Sequence, residues 1–528
     1  MRRFIFGFVL AVLLAAFVLP GLTAPALALD ELRISDGKGD WGYPNPYNHY
    51  PRGPGYLRMA LVYDTLIWKD KNGYIPALAD KWSFLPQEQA FSFELNPKAK
   101  WHDGKPVTAE DVAFTISYFR KHPYPWVSVA NLGEVKVLGP HKLKIPLKKP
   151  YAPFISDIGG TMPVLPKHVW EKVKDPKAYR GPGAFTGSGP YLFKDFNKAK
   201  GSYLFEAFDG YYLGKPKVER LIFVKGKNPI MALTTKAASF SSIKPDMAPI
   251  LEKKGFVVLK GGRGWNKKLM INHRIAPFND RRFRRALVHA INRQEIIDKA
   301  HRGLGTVASL GLLSKDHPMY NPDTPDYAYD PAKAEEILKS LGYSKDKDGF
   351  FAKDGKPLEL TLLASNITVA GERVPDRDGE IIKLQLGKVG IKVKLINLEQ
   401  GTTDAKVKNW DFQLAVSGHG GIMGDPKILN ELIYSKIGAG SVNCARFDDN
   451  KELNRLLDES LDCMDPAKRK KMVQEIQRIY AEELPAISLF YPENVCAYDA
   501  SKGVEWYFTP GGISKGIPIA QNKMSLIR

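Results

Sequence analysis

Three cysteines in 528 residues are too few for a disulfide-built scaffold. Cys444, Cys463 and Cys496 allow one bridge and one spare thiol, with three ways to pair, and the sequence does not choose among them. Long apolar runs are equally scarce. Phe4 to Leu19, interrupted by Gly7, is the only one, and it falls short of the ~20 residues that span a membrane. No repeat with a period of roughly 20–50 residues is visible, and no low-complexity linker divides the chain. Gly 46 and Pro 38 are ordinary counts for this length, which excludes a collagenous or linker-dominated molecule.

Catalytic signatures are missing too. There is no P-loop pattern. Gly262-Arg263-Gly264 lacks the third glycine of a dinucleotide loop, and Gly187-Ser188-Gly189 is too short for a nucleophile elbow. None of the ten histidines lie four apart, and no C-x-x-C exists. No catalytic residue, metal site or cofactor is therefore assigned, which favours a binder. The 57 acids always allow a carboxylate pair in space, so an exported hydrolase stays open as a rival, as does a sensory or folding-helper protein.

What is present begins with an export signal. Arg2 and Arg3 precede the apolar run, Pro20 and Gly21 break it, and Ala26-Leu27-Ala28 is a small-x-small cleavage site. Residues 1–28 read as a signal peptide, with no cysteine near the site to carry a lipid anchor. Its removal deletes two arginines and no acid, so the 77 Lys and Arg fall to 75 against 57 Asp and Glu, a net of +18. The cations are spread along the chain, as on a solvated surface. No nucleic-acid-binding motif accompanies them.

Short strands alternate with capped helices, giving an α/β chain with mixed sheets. Leu32–Ile34 opens a strand, and a Gly/Pro-rich loop from Asp36 to Pro54 carries Trp41, Tyr43, Tyr47 and Tyr50. Phe91–Leu95 alternates as a strand. Asp103-Gly104 marks a turn, and Thr108-Ala109-Glu110-Asp111 has the form of a capping box. One helix is predicted over Asp280–Ala300, with Arg281, Arg282, Arg284 and Arg285 on its solvent side. Another starts at Asp330-Pro331 and stops at Gly342. Helices near Asn450–Leu461 and Pro466–Ala481 precede a strand at Ala486–Tyr491.

Several blocks carry a resemblance. Pro76-Ala77-Leu78-Ala79-Asp80-Lys81-Trp82 and the stretch Trp101–Thr115, with its W-H-D-G-x-P-x-T-A-E-D-V-A-F-T pattern, resemble the signature of the family 5 extracellular solute-binding proteins, receptors of ABC importers for peptides, nickel complexes and some oligosaccharides. Gly187–Tyr191, Pro277–Arg293, Tyr329–Ala334, Gly390–Val393 and Leu484-Pro485 agree in order, so the likeness runs from about Pro76 to Pro492. It implies a periplasmic binding protein-like fold: two ligand-clasping lobes plus an extra lobe, with hinge closure. Lobe I takes 29–50, 184–263 and 497–528, lobe II 51–183, and lobe III 264–496. The W-H-D-G block is then structural. The implied partners are a peptide or other small-molecule ligand and the permease subunits of an importer in the membrane. The protein is expected to be a periplasmic monomer.

The family's peptide receptors often carry Trp-x-x-Asp ahead of an x-Pro turn, the carboxylate holding the peptide ammonium. Counting back from Pro426 places Ile422 at that Asp and His419 at that Trp, with Asp425 a substitute or a turn residue. The usual amine anchor is absent. Trp41, Tyr43, Trp265, Asn266, His419, Ile422 and Asp425 are the candidate ligand-binding residues. Peptide is the first expectation. A modified or cyclic peptide, a nickel chelate touching His419, or an oligosaccharide stacking on Trp41 and Trp265 are the alternatives.

Overall fold

The computed structural model describes residues 29–365, 367–369, 372–374 and 376–527. The predicted signal peptide, 1–28, lies outside the described residues. No helix among them is long and apolar enough to cross a membrane.

Three main sheets organise the chain. In the first, of seven strands, Leu29–Asp36 lies between Val218–Lys225 and Phe240–Ile243, parallel to both. Val495–Tyr498 then runs antiparallel between Phe240–Ile243 and Val257–Lys260. Ser202–Ala207 and Tyr191–Asn197 complete the opposite edge. The second sheet has six strands. Trp265–Ile271 is flanked by Ala486–Pro492 and Leu414–Gly420, both antiparallel to it, and Glu359–Ser365 lies parallel between Leu414–Gly420 and Lys392–Leu398. The third is a four-stranded antiparallel sheet of Ala79–Leu85, Ala90–Leu95, Lys142–Pro146 and Lys136–Gly139. These are the mixed sheets and α/β class expected. The chain re-enters the first sheet at Val495, ahead of the division drawn between Cys496 and Ala497.

The seven-stranded and four-stranded sheets share one apolar core, in which Trp68, Trp101 and Trp170 are buried. The W-H-D-G block joins them. His102 donates its backbone N–H to Gly187 O (2.8 Å), its Nε2 lies 2.9 Å from Gly189 O, and Gly189 N–H donates to Val62 O (2.8 Å). Contact at Gly187 is so close that a Cβ there would fall 1.8 Å from Val62 O. Thr108 and Asp111 form a complete capping box on Ala109–Lys121, while the buried Trp101 Nε1 has no hydrogen-bond partner. The six-stranded sheet has separate cores on its two faces: one gathers Leu269, Ile271, Phe283 and Leu414, the other Met270, Leu363 and Ala415. A further core gathers Ile422, Leu432, Ile476 and Tyr480.

Two helices replace the one predicted over Asp280–Ala300. Arg281–Ala290 ends before Asn292, whose side chain accepts from Glu295 N–H and starts Arg293–His301. The apolar spacing runs through the break because both helices cover the same core. Arg284 is not on the solvent side: it is 3% exposed and donates to Glu483 O and Phe278 O, both at 2.8 Å. The helices Pro331–Ser340, Lys451–Asp462 and Pro466–Glu483 stand where the caps place them. All three cysteines are free, with Cys444 and Cys496 buried and Cys463 half-buried, so the bridge left open by the sequence does not form.

Candidate functional site

The six-stranded unit meets the rest of the molecule along loops that glycine lets approach closely. Gly424 packs on Gly516, where a Cβ would fall 3.0 Å from the Gly516 backbone, and Gly421 packs on Lys515 O. Pro518 covers Gly264, while Ile517 and Ile519 cover Gly53 at the start of the helix Gly53–Val62. Strand Leu414–Gly420 ends at this junction.

Antiparallel register brings three of the predicted residues together there. Trp265 stands opposite Gly420 and Asn266 opposite His419. Successive residues of a strand face opposite ways, so the two pairs line opposite faces of the sheet. On one face the half-buried Trp265 ring lies over two glycines: a Cβ would meet its Nε1 at 2.6 Å from Gly418 and its ring at 2.9 Å from Gly420. On the other, Asn266 is 1% exposed and donates Nδ2–H to Ser488 Oγ (3.2 Å). Asn266 Oδ1 and His419 Nδ1 are buried without a hydrogen-bond partner. Burial pushes the His419 imidazole down to about 4, assisted by the charges of Lys268 and, further down the order, Arg52. The ring is therefore neutral at pH 7.

The other predicted residues are engaged elsewhere. Ile422 is 0% exposed and packs among Leu313, Ile428 and Leu432, in the core beyond the turn after Gly421. Asp425 holds Arg469 through two bonds (2.6 and 2.9 Å) and accepts from Lys427 N–H (2.9 Å), so it secures the turn. Trp41 donates Nε1–H to Asp36 Oδ2 (2.6 Å) and packs edge-on against Tyr50, tied into its own loop. Tyr43 packs on Phe196 and Phe185 beside Arg180, none of them on the six-stranded unit.

Sequence reasoning missed the charged groups of the junction. Lys427 pairs with Asp157, which also accepts from Tyr151 O–H (2.5 Å). Lys515 donates to Glu431 (2.9 Å) and to Trp126 O (3.3 Å). Burial pushes the Asp157 and Glu431 carboxyls up, but the Lys427 and Lys515 charges outweigh it and hold both below the ordinary carboxylate range. Lys268, opposite Ser417 and 1% exposed, was also missed. Its Nζ donates to Asn443 O, and burial pushes it down to about 8. The run Gly418-His419-Gly420-Gly421 was the one signal that could have flagged a tightly packed junction here.

A sequence profile of the bacterial extracellular solute-binding proteins, family 5, matches residues 73–441. Heme-binding protein A of Haemophilus influenzae is 25% identical over 463 residues, covering 81% of each chain. The oligopeptide-binding protein AppA of Bacillus subtilis is 27% identical over 442 residues, covering 79% of this chain and 78% of the relative. Among solved structures, NikZ of Campylobacter jejuni in complex with Ni(L-His) superposes with a TM-score of 0.77 at 23% identity, over 96% of this chain and all of the other. The profile spans well over half of the sequence, and the chain belongs to family 5 of the bacterial extracellular solute-binding proteins.

Proposed function

We propose that this protein is the exported, periplasmic receptor of an ABC importer, binding an extended, peptide-like solute between two lobes and delivering it unaltered to the membrane permease. One observation supports the peptide reading above the others. Strand Leu414–Gly420 pairs along its whole length with Trp265–Ile271, but on its other side only Leu414 and Ala415 pair with Glu359–Ser365. From Val416 to Gly420 that edge has no strand partner among the described residues. An unpaired edge beside a crevice recognises extended chains by adding them as a further strand, through main-chain hydrogen bonds that tolerate varied side chains. The named ligand of AppA agrees. The shared core of the first and third sheets supports treating lobes I and II as one body, against which lobe III opens and closes.

A nickel chelate is the second reading. The neutral His419 ring favours it, since neutral imidazole is the metal-binding form. The cations near that ring require the metal to arrive already held by anionic ligands.

A thermal-shift panel of peptides, nickel with histidine, oligosaccharides and heme tests the proposal. A ligand at 100 times its Kd stabilises by about 2.7 kcal/mol. Stabilisation by peptides alone is expected. No response to any peptide rejects the peptide reading, and conversion of the bound solute rejects the receptor role in favour of a hydrolase.

A further inference from the structure

The accessory unit built on the four-stranded sheet reaches the six-stranded unit at a second place. Its segment Lys149-Pro150-Tyr151-Ala152-Pro153-Phe154 follows the strand Lys142–Pro146 and is fixed to its own body at both ends. Asn131 Nδ2–H donates to Lys149 O (3.0 Å), and Asn131 Oδ1 accepts from Lys149 N–H (3.2 Å). The buried Phe154 ring stacks on Phe91 with centroids 3.9 Å apart. Pro150 and Pro153 fix their own φ and carry no N–H, so Tyr151 and Ala152 supply the backbone donors of this loop.

The loop meets a helix end. Lys451–Asp462 belongs to the six-stranded unit, since its Leu453 and Leu457 share a core with Val473 and Ile476. A last helical turn leaves carbonyls without an intrahelical donor, and the chain turns to extended backbone here at Cys463. Ser460 O accepts from Arg469 Nε–H of the same unit (2.9 Å). Leu461 O is satisfied from the other body: Ala152 N–H donates to it at 2.8 Å. Lys149 Nζ lies 2.9 Å from Asp462 Oδ1, a cation at the negative end of the helix. Just beyond, the half-buried Met464 packs against the core shared by the seven-stranded and four-stranded sheets.

We propose that segment 149–154 is a clasp: the accessory unit caps helix Lys451–Asp462 from outside when the lobes close, and so governs how slowly a bound solute leaves. The inference rests on the receptor reading above and gives the accessory unit a part in it. When the lobes part, water replaces the partners of Ala152 N–H, Leu461 O, Lys149 and Asp462, and Met464 loses its apolar cover. The clasp therefore favours the closed arrangement alone. It is made between groups of the protein, so its effect is the same for every solute. Release waits on opening, and the effect falls on the release rate.

The test compares the wild-type chain with Lys149→Glu, Asp462→Lys and the double charge reversal. Stopped-flow kinetics give association and release of tri-, tetra- and penta-alanine, and each unliganded chain is melted. Both single variants are expected to speed release about threefold or more for every peptide bound, the scale of a partly exposed ion pair turned into a repulsion. Association should stay within about twofold. The double reversal should return release to within about twofold of wild type, and the unliganded melting temperatures should match. Unchanged release in both single variants, a change confined to one peptide, or a melting temperature lowered in step with faster release overturns the clasp and leaves the receptor standing. If none of the three peptides binds the wild-type chain, the peptide reading falls by itself. Carbodiimide coupling of Lys149 to Asp462, mapped by mass spectrometry, then decides the clasp: the cross-link supports it, and its absence rejects it.

Discussion

Lys427→Met should weaken ligand binding without unfolding the protein. Lys427 belongs to the six-stranded unit and Asp157 to the accessory unit built on the four-stranded sheet. Their side chains are 12% and 3% exposed. After the substitution Asp157 keeps the Tyr151 hydroxyl as its side-chain hydrogen-bond partner and the more distant Lys515 charge. Breaking a buried pair by removing one partner costs roughly 3–5 kcal/mol while the survivor stays buried. On the proposed receptor mechanism, opening of the lobes rehydrates Asp157, so the cost falls on the closed arrangement. About 3 kcal/mol corresponds to roughly 150-fold in affinity, since each 1.4 kcal/mol is about tenfold. Pairing Lys427→Met with Asp157→Leu should recover most of the loss, because both charges are then gone. Calorimetric titration of a bound peptide gives the affinity, and small-angle scattering gives the compaction. Affinity within threefold of wild type for Lys427→Met, with an unchanged scattering profile, would show that this pair does not hold the lobes together.

Further outcomes follow from the same geometry. Asp157 and Glu431 both have depressed values beside their lysine partners. Their contribution to closure is present above the ordinary carboxylate pKa of about 4 and is lost as pH falls through the depressed values, so affinity should hold from pH 7 to 5 and drop below about pH 4. A flat profile down to pH 3 would contradict this. Lys268, pushed down to about 8 by burial, binds its proton less tightly folded than unfolded. Stability should therefore rise between about pH 8 and 10.5, and Lys268→Met should flatten that rise in denaturant titrations. Gly420→Ala drives a Cβ into the Trp265 ring. The indole must move, costing about 1–3 kcal/mol, and a shift in tryptophan emission reports it. Thiol titration of the native chain should find one fast-reacting group, Cys463, with the buried Cys444 and Cys496 exposed only by denaturant.

Much of this protein is decided by local chemistry that a sequence displays. Thr108 with Asp111, Asp330 with Pro331, and Gly342 or Gly390 past a helix end satisfy or stop a helix within a few residues, so they fix the element wherever it sits. The long match from Pro76 onward fixes the family in the same way. The helix break at Asn292 and the burial of Arg284 were not readable, because each depends on a distant partner: the core that both helices cover, and the Glu483 carbonyl.

The site divides along the same line. Sequence offered His419, Trp265 and Asn266 among seven candidate residues, and the family resemblance put an isoleucine at the usual acid position. Only the tertiary structure decided that Trp265 rests on Gly418 and Gly420, that Ile422 turns into the core, and that Asp425 is held by Arg469. It alone showed which charges are matched across the junction and which are left over. Periodicity and capping act over one or two turns of chain, whereas the partner of a buried charge comes from residues up to hundreds of positions away, brought within 3 Å by the packing of whole sheets.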